Sequence, residues 1–190
     1  MVINTSSKEE YSDGRISKLV KQAKSGNTDA FGKLYDIYYP KIYRYIYWRI
    51  NNKEDVEDLT EQVFLNVWQG LKKYRFKGIP FISWLYRIAH NLVVDFYRTK
   101  KETFELKDKI LISEKTSPED VLQKKFQQKR LISAIKNLTD IQQQIIYFKF
   151  FDDLTNKEIS HIVRKSEGAV RVIQCRALKS LRKILKNHDK

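Results

Sequence analysis

Apolar residues recur along most of the chain in alternating steps of three and four, which is the spacing of one face of an α-helix. No segment shows the strict alternation of apolar and polar residues that predicts a β-strand. We therefore expect an all-α fold. Helices are predicted at residues 16–24, 28–50, 54–74, 81–101, 118–138 and 140–151, with two more within residues 154–185.

The periodicity fades after residue 101 and resumes at Ser117 and Pro118. Serine is a favoured N-cap and proline a favoured first residue, so this pair predicts the start of a helix. The chain is expected to form two small helical domains. The predicted division is a disordered N-terminus at residues 1–12, a domain at 13–101, a flexible linker at 102–117 and a second domain at 118–190.

The first two predicted helices are expected to contribute to an apolar core. Thr28 is placed to cap the second helix, and the aromatic side chains of that helix are most simply explained as core. Pro40 lies inside the same helix and predicts a kink or a local restart. The apolar side of the first helix consists of Ile16, Leu19, Val20 and Ala23.

The third predicted helix is apolar on one side and acidic near its start on the other. Carboxylates in a first turn suit the helix dipole, and no histidine accompanies them, so the pattern does not predict a metal site. The apolar side consists of Val56, Leu59, Val63, Val67 and Leu71. The polar side consists of Asp55, Glu57, Asp58, Glu61 and Gln62.

The helix predicted at Phe81–Lys101 has two chemically different faces. One is an apolar stripe of Ile82, Leu85, Ala89, Leu92 and Phe96. The other carries Ser83, Arg87, Asn91, Val94 and Arg98, with Tyr86, His90 and Tyr97 at its margins. Cations pair with phosphates, an amide can bind a base edge, and aromatic rings stack on unpaired bases. This face indicates single-stranded or melted nucleic acid, with an ordinary solvated basic face as the alternative.

Residues 154–185 predict a helix-turn-helix, with Ser160 as a small residue near the crossing. Thr155 with Glu158 forms a capping box for the first helix, and Ser166 caps the second. The inward side chains are Ile159, Ile162 and Val163, followed by Ala169, Val170, Ile173, Ala177, Leu178 and Leu181. The outward ones are Glu167, Arg171, Val172, Gln174, Cys175 and Arg176. Arginine forks can take guanine edges or phosphates, which favours DNA binding over a helical hairpin at an interface.

The turn of this motif is unusual, because DNA-reading versions often have glycine where Arg164 stands and an aliphatic residue where Lys165 stands. A residue other than glycine in a left-handed conformation costs about 1 kcal/mol. The fold can tolerate that cost, and an altered turn is the alternative.

Charge supports a polyanionic partner. The net charge is +14, from 37 Lys and Arg against 23 Asp and Glu. Residues 123–190 contain 16 basic and 6 acidic side chains, a net of +10, so the excess is concentrated in the C-terminal third. Hydrophobic residues make up 42%, which excludes a fully disordered chain.

Other features narrow the function class. The single cysteine, Cys175, cannot form a disulfide framework and fits a reducing compartment. No apolar run approaches the roughly 20 residues that span a bilayer, and the N-terminus lacks the apolar core of a secretory signal. We therefore expect a cytoplasmic protein without a membrane partner. The sequence has no nucleophile–base pair, no glycine-rich phosphate loop and no metal-ligand cluster, so neither enzymatic activity nor a cofactor is predicted.

Three segments, read in order, resemble those of bacterial RNA polymerase sigma factors. They are DVEDLTEQVFLNVW from Asp55, PFISWLYRIAHNLVVDFYR from Pro80, and LTNKEIS from Leu154 with EGAVRVIQCRALKSL from Glu167. The likeness is to the small two-domain type, called extracytoplasmic function or group IV. It implies a sigma region 2 helical bundle and a sigma region 4 helix-turn-helix. It also implies a protein that binds core polymerase, recognises the −10 and −35 promoter elements and directs transcription initiation.

The resemblance implies roles for particular residues. The third helix matches region 2.2, which docks on the clamp helices of the largest polymerase subunit; the matching residues are Asp55, Asp58, Leu59, Glu61 and Gln62. Residues 75–101 match regions 2.3 and 2.4, which open the −10 element and capture a flipped base; the matching residues are Arg75, Lys77, Arg87, His90, Asn91 and Arg98, with Asn91 at a base-reading position. The helix-turn-helix matches region 4.2, which reads the −35 element; the matching residues are Thr155, Ser166, Glu167, Arg171, Val172, Cys175 and Arg176.

The implied partners are the polymerase core, through its clamp helices and flap, and promoter DNA, with an anti-sigma factor as a further candidate. Two other function classes stay open at this point. A one-component regulator, with a helical sensor domain joined to the helix-turn-helix, leaves the basic aromatic helix without a role. An enzyme acting on nucleic acid, such as a recombinase, would need clustered carboxylates or a nucleophile among several arginines.

Overall fold

The computed structural model describes residues 13–50, 52–75, 79–101 and 130–187, and the regular secondary structure within these ranges is helical. The all-α prediction is therefore confirmed. The chain divides into two compact units, residues 1–108 and 109–190. The predicted disordered N-terminus, the linker and the Ser117–Pro118 helix start lie outside the described residues. The helices are α1 (Asp13–Lys24), α2 (Thr28–Arg49), α3 (Lys53–Leu71), α4 (Phe81–Lys101), α5 (Asp140–Phe150), α6 (Asn156–Val163) and α7 (Glu167–Asn187), and residues 130–136 are also helical.

In the first unit, α1, α3 and α4 all pack against α2. The ring of Tyr45 meets Tyr86 of α4 edge to face, with centroids 5.5 Å apart, an arrangement that aromatic pairs prefer. The predicted apolar side of α1 is confirmed, because all four of its residues are buried. The buried face of α2 consists of Ala30, Leu34, Tyr38, Ile42, Tyr45, Ile46 and Arg49.

Asparagines cap the starts of both α2 and α3. The Asn27 side chain accepts a hydrogen bond from the backbone N–H of Ala30 at 2.8 Å, and the Asn52 side chain accepts one from Asp55 at 3.2 Å. Thr28, the predicted cap of α2, is instead its first helical residue. Asn27 has the extended backbone of an N-cap, and its side-chain oxygen accepts the otherwise unpaired N–H of Ala30. The N-cap is therefore one residue earlier than predicted.

The helix α2 continues through Pro40 without interruption, so the alternative of a local restart does not occur. A proline inside a helix removes one backbone hydrogen bond. Tyr38 and Ile42, on either side of it, are both buried in the core. Tertiary packing of this face outweighs the lost bond.

The third helix ends at Leu71, three residues before the predicted end at residue 74. The chain then makes a tight turn in which the backbone N–H of Tyr74 donates to the carbonyls of Gly70 and Leu71, both at 3.1 Å. The indole of Trp84 packs over Gly70, since a Cβ at Gly70 would lie 3.2 Å from Trp84 Cζ2. This close approach locks the end of α3 against α4.

In the second unit, α5, α6 and α7 pack on one another around buried Tyr147 and Phe148. The two predicted capping boxes, Thr139 with Gln142 and Thr155 with Glu158, are both present. The inward face predicted for α6 is confirmed, because all three of its apolar residues are buried.

The inward face predicted for α7 is partly wrong. Val170, Ala177 and Leu181 are buried, whereas the side chain of Leu178 is 41% exposed. Two further predicted core residues, Ala169 and Ile173, are only half-buried. The eight-residue α6 and the eleven-residue α5 cover only a narrow stripe of this 21-residue helix, so its flanking apolar positions stay accessible.

The turn of the helix-turn-helix keeps a left-handed residue even though it has no glycine. Arg164 has φ 53° and ψ 46°, and its backbone N–H donates to the carbonyl of Ser160. The N–H of Lys165 donates to the same carbonyl at 3.1 Å. The turn therefore has the usual C-cap geometry and carries the conformational cost of a Cβ at that position.

We expect Arg164→Gly to stabilise the second unit by about 0.5–1 kcal/mol, because glycine adopts left-handed angles without steric cost. The measurement is the hydrogen-exchange protection of the buried Ile162 and Val170 amides. Lys165→Gly is the matched control and should reduce protection, since Lys165 does not have positive φ. Unchanged or reduced protection in Arg164→Gly would contradict the strain at this turn.

Candidate nucleic-acid interface

One stripe of α4 presents basic and amide side chains. Arg87, Val94 and Arg98 are exposed, and His90 and Asn91 are half-buried. A rise of 1.5 Å per residue separates Arg87 from Asn91 by about 6 Å and from Arg98 by about 16 Å along the helix axis. These lengths match a stretch of several nucleotides.

The loop before α4 extends this basic surface. Arg75 is exposed immediately after the turn that ends α3. Lys77, the other basic residue predicted in this loop, lies outside the described residues. Arg75 and the stripe on α4 are therefore the described part of the predicted −10 surface.

The core-facing side of α4 differs from the predicted apolar stripe. Ser83 and Tyr86, predicted on or beside the polar face, are only 2% and 0% exposed. Ile82, Leu92 and Phe96 are half-buried instead of forming the centre of the core face. The apolar side chains that are buried are Phe81, Leu85, Tyr86, Ala89 and Val93. The helix is rotated so that the large ring of Tyr86 reaches Tyr45, which removes Tyr86 from the candidates for base stacking.

Tyr97 links the later turns of α4 to the end of α2. Its hydroxyl donates a hydrogen bond to the backbone carbonyl of Arg49. The Arg49 guanidinium is itself buried and lies 5.9 Å from the ring centroids of both Trp48 and Tyr97. This cation–π arrangement makes Tyr97 part of the scaffold behind the polar face.

Arg98 forms an exposed ion pair within α4. Its guanidinium lies 3.2 Å from a carboxylate oxygen of Asp95, and the side chains are 78% and 57% exposed. Solvent-exposed pairs of this kind contribute about 0–1 kcal/mol. Breaking the pair with Asp95 therefore costs Arg98 little folding stability, which leaves its guanidinium available to a phosphate.

A second basic surface lies on α7. Arg171, Val172, Cys175 and Arg176 are exposed, as predicted, and Gln174 is half-buried. Exposed Val172 offers an apolar contact of the kind that a thymine methyl group accepts. Together these side chains form a face with hydrogen-bond donors, an apolar contact and positive charge.

Side chains at the starts of α6 and α7 have capping roles. Ser166 Oγ accepts a hydrogen bond from the N–H of Ala169 at 3.1 Å. Thr155 Oγ1 accepts one from the N–H of Glu158 at 3.2 Å. Both residues are exposed, so each caps a helix at the surface where DNA contact is predicted. Glu167 forms a pair with Arg171 at 2.6 Å, one turn further along α7.

The residues predicted to bind polymerase lie on the outer side of α3. Asp58, Glu61 and Gln62 are exposed, and Asp55 and Leu59 are half-buried. Gln62 Nε2 donates to the side-chain oxygen of Asn66 at 2.9 Å, which orients the amide along the helix. This acidic face differs in charge from the basic stripe of α4.

A tyrosine ladder on α2, formed by Tyr35, Tyr39, Tyr43 and Tyr47, lies beside this acidic face. Successive ring centroids are 5.0, 5.9 and 6.1 Å apart, and the ring of Tyr35 lies 4.6 Å from Phe64 of α3. All four tyrosines are half-buried, so the interpretation of the aromatic residues as core is only partly right. The four-residue spacing of the tyrosines was the sequence signal for a continuous surface ladder.

Burial and neighbouring groups favour the neutral form of two tyrosines of the ladder, Tyr35 and Tyr39. Burial, followed by the carboxylates of Glu61 and Asp36, raises the pKa of Tyr35. Burial also raises the pKa of Tyr39, with smaller contributions from neighbouring tyrosines and carboxylates. Tyr35 and Tyr39 therefore present neutral rings next to the negative charge of α3, a combination that favours a cationic partner.

Among the described side chains, no group of His, Cys, Asp and Glu is arranged to hold a metal ion. Within this part of the chain, no helix combines the length and apolar character needed to cross a membrane.

Sequence comparison matches both units to known families. Residues 34–103 match Sigma-70 region 2, and residues 134–183 match Sigma-70 region 4. The ECF RNA polymerase sigma factor SigW of Bacillus subtilis is 30% identical over 183 residues, covering 90% of this chain and 97% of SigW. The ECF RNA polymerase sigma factor BldN of Streptomyces coelicolor is 33% identical over 174 residues, covering 90% of this chain and 66% of BldN.

Solved structures show the same fold. CnrH, in a complex with the cytosolic domain of CnrY, has a TM-score of 0.69 at 23% identity and covers 93% of this chain and 99% of that chain. The sigma factor RpoE of Bartonella quintana, in a complex with the anti-sigma factor NepR, has a TM-score of 0.67 at 15% identity and covers 82% of this chain and 96% of that chain.

Proposed function

The chain belongs to the sigma-70 family of bacterial RNA polymerase sigma factors, of the extracytoplasmic function type, and directs transcription initiation; we propose that it does so through three separate surfaces. The basic stripe of α4 engages the −10 element, the exposed face of α7 reads the −35 element, and the outer side of α3 docks on polymerase. The observation that carries this proposal is the order of the two family matches, which coincide with the unit containing α4 and the unit containing α7.

The −10 element is opened by the first unit. Unstacking a base costs a few kcal/mol, which contacts to phosphates and base edges must offset. Arg87 and Arg98 grip the backbone, and Asn91 reads a base edge, because an amide offers both a donor and an acceptor. Arg75 and His90 complete the described part of this surface.

The −35 element is read as duplex by α7. Arg171 and Arg176 lie five residues apart on its exposed side and supply forks for guanine edges or phosphates. Val172 and Cys175 lie beside them and set the preference at neighbouring base pairs. Glu167 is one turn before Arg171, where a carboxylate can accept a hydrogen bond from a cytosine amino group.

Polymerase is bound by the acidic outer side of α3 together with the tyrosine ladder of α2. Asp58 and Glu61 provide exposed negative charge, and the neutral rings provide apolar area with polar tips. Such a face suits arginine-bearing helices, because guanidinium groups pair with carboxylates and stack on aromatic rings. The clamp helices of the largest polymerase subunit are the proposed occupant, and the flap is the proposed partner of the second unit.

Two further parts of the proposal follow from the family. The protein acts by binding, without covalent chemistry of its own, in the cytoplasm where polymerase is found. An anti-sigma factor is a proposed additional partner, because CnrH and the Bartonella RpoE are both seen in complexes, with CnrY and NepR respectively. Such a partner would compete with polymerase and promoter for the same surfaces.

The direct test is transcription in vitro with a compatible core polymerase on a library of genomic fragments. The expected result is initiation at a set of start sites that share one −10 and one −35 sequence. Selective binding of the protein alone to intact duplex, without initiation by polymerase, would instead support the one-component regulator.

We expect Asn91→Ala to reduce discrimination at one −10 base by about 1–3 kcal/mol, the value of a good base contact. The measurement is open-complex formation on promoters that differ at single −10 positions. Val94→Ala, an exposed neighbour on the same face, is the control and should leave the discrimination unchanged. Equal losses on every promoter would argue against base reading by Asn91.

Asp58→Lys should weaken polymerase binding by at least about 1.4 kcal/mol, a tenfold change. The reason is that the new positive charge would face the arginine-bearing helices of the proposed partner. Folding should be unaffected, since Asp58 is exposed. Trp48, Trp68 and Trp84 all lie in the first unit, so tryptophan fluorescence reports its unfolding.

The control for this reversal is Asp29→Lys, an exposed residue at the start of α2. It lies at the opposite end of the α2–α3 pair, because the start of α2 meets the end of α3 through the Phe31–Trp68 contact. Unchanged affinity in Asp58→Lys, or an equal loss in Asp29→Lys, would remove α3 from the proposed interface.

A further inference from the structure

The helix α1 precedes residue 34, where the match to Sigma-70 region 2 begins. It nevertheless contacts the residue that precedes the proposed −10 surface. The Nζ of Lys24, in its last turn, donates a hydrogen bond of 2.6 Å to the backbone carbonyl of Tyr74. The two residues are 50 positions apart, and the contact is partly buried. Tyr74 immediately precedes Arg75, the first residue of the proposed −10 surface.

The carbonyl of Tyr74 lies three residues after the end of α3. The last turn of α3, residues 68–71, has no basic side chain. A helix C-terminus carries unpaired carbonyls and partial negative charge, which cations favour. The backbone N–H of Tyr74 is already used within the turn, where it donates to Gly70 and Leu71. Lys72 and Lys73 already place positive charge directly after α3. What Lys24 adds is a donor, from another helix, to the Tyr74 carbonyl.

The side chain of Tyr74 is also held in place, by packing against aromatic rings of α4. Its ring lies 4.7 Å from that of Trp84 and meets Phe81 edge to face at 5.3 Å. Phe81 is buried, and the Trp84 indole covers Gly70. Burial raises the pKa of the Tyr74 phenol, as expected for a ring packed between helices.

These contacts bring together Tyr74 and Phe81, the residues on either side of positions 75–80 in the sequence. Tyr74 precedes them and Phe81 follows them, and the rings of these two residues are in contact. Because the Tyr74 carbonyl is hydrogen-bonded to α1, movement of α1 displaces the position from which Arg75 leaves the core.

We propose that Lys24 is a positioning residue for −10 recognition, acting through Tyr74 on the placement of Arg75 and the start of α4. This inference rests on the proposed function of that surface. The contact shown for Lys24 uses one N–H of its ammonium group on the Tyr74 carbonyl, so the role assigned to Lys24 is to hold Tyr74 in place rather than to grip DNA. Its loss therefore changes the selectivity for −10 bases rather than the overall attraction to DNA.

The alternative role for Lys24 is that of one more surface cation. In that case its removal would weaken all DNA binding equally and in a salt-dependent way. Lys21 provides the matched comparison, since it lies in the same last turn of α1 and is exposed. Substituting Lys21 removes the same charge without breaking the bond to Tyr74.

The experiment uses the full chain with core polymerase and compares Lys24→Met, Lys24→Arg and Lys21→Met with the unaltered protein. Open-complex yield, read from permanganate reactivity of −10 thymines, is measured on the preferred promoter and on versions with one −10 base replaced. The ratio of these yields should fall at least about fivefold in Lys24→Met, comparable to the loss of one base-pair contact. Lys24→Arg should retain the ratio to within about twofold, because a guanidinium can donate to the same carbonyl.

Lys21→Met should keep the ratio of the unaltered protein. Tryptophan fluorescence verifies that the first unit of each variant is folded at the assay temperature. Should Lys24→Met unfold, Lys24→Ala, which also lacks a donor and suits a helix, takes its place with the same expected fall in the ratio.

The inference is overturned if Lys24→Met lowers all yields equally, if Lys21→Met lowers the ratio as much, or if Lys24→Arg fails to restore it. These outcomes are separate from failure of the proposed function. If the unaltered protein does not direct initiation, the proposed function itself is wrong. If it initiates selectively and Lys24→Met is equally selective, only the role of Lys24 is refuted.

Discussion

The first unit depends on a single packing constraint, which is that α2 must bury one face against three other helices at the same time. Leu34, Ile42 and Ile46 on that face are at most 1% exposed. Full burial of each such side chain contributes about 1.5–3 kcal/mol. Because α1, α3 and α4 all rest on this helix, the acidic side of α3 and the basic stripe of α4 have a fixed relation to each other. Loss of packing on α2 would therefore disturb polymerase and promoter contacts together.

Features that depend on neighbouring residues could be predicted from the sequence. The capping boxes of α5 and α6 follow from side chains three residues apart, so no tertiary information is needed to find them. The buried sides of α1 and α6 were also predicted, because each short helix has only one apolar stripe. The exposure of Arg87, Arg171 and Arg176 follows from the same patterns.

Features that depend on distant residues could not be predicted. The rotation of α4 places Tyr86 in the core because Tyr45 of α2 receives its ring, and periodicity within α4 does not contain that information. The tyrosine ladder was interpreted as core, but tyrosine has an apolar body and a polar tip and fits either core or surface. Its exposure is decided by how far α3 covers α2. The bond from Lys24 to Tyr74 spans 50 positions and leaves no local pattern in either segment. The roles of individual side chains in DNA and polymerase contact are proposals that rest on their placement and on the family.

Both proposed DNA surfaces contain an arginine that is already paired with a carboxylate on its own helix, Arg98 with Asp95 and Arg171 with Glu167. When a phosphate takes such an arginine, the abandoned carboxylate stays close to the DNA and opposes the gain. Fewer counterions are then displaced than the number of arginines would suggest, so adhesion to arbitrary sequence is weakened. The net charge of +14 already counts both carboxylates, so the long-range attraction to DNA is unchanged. The pairing lowers only the gain at the point where each arginine meets a phosphate.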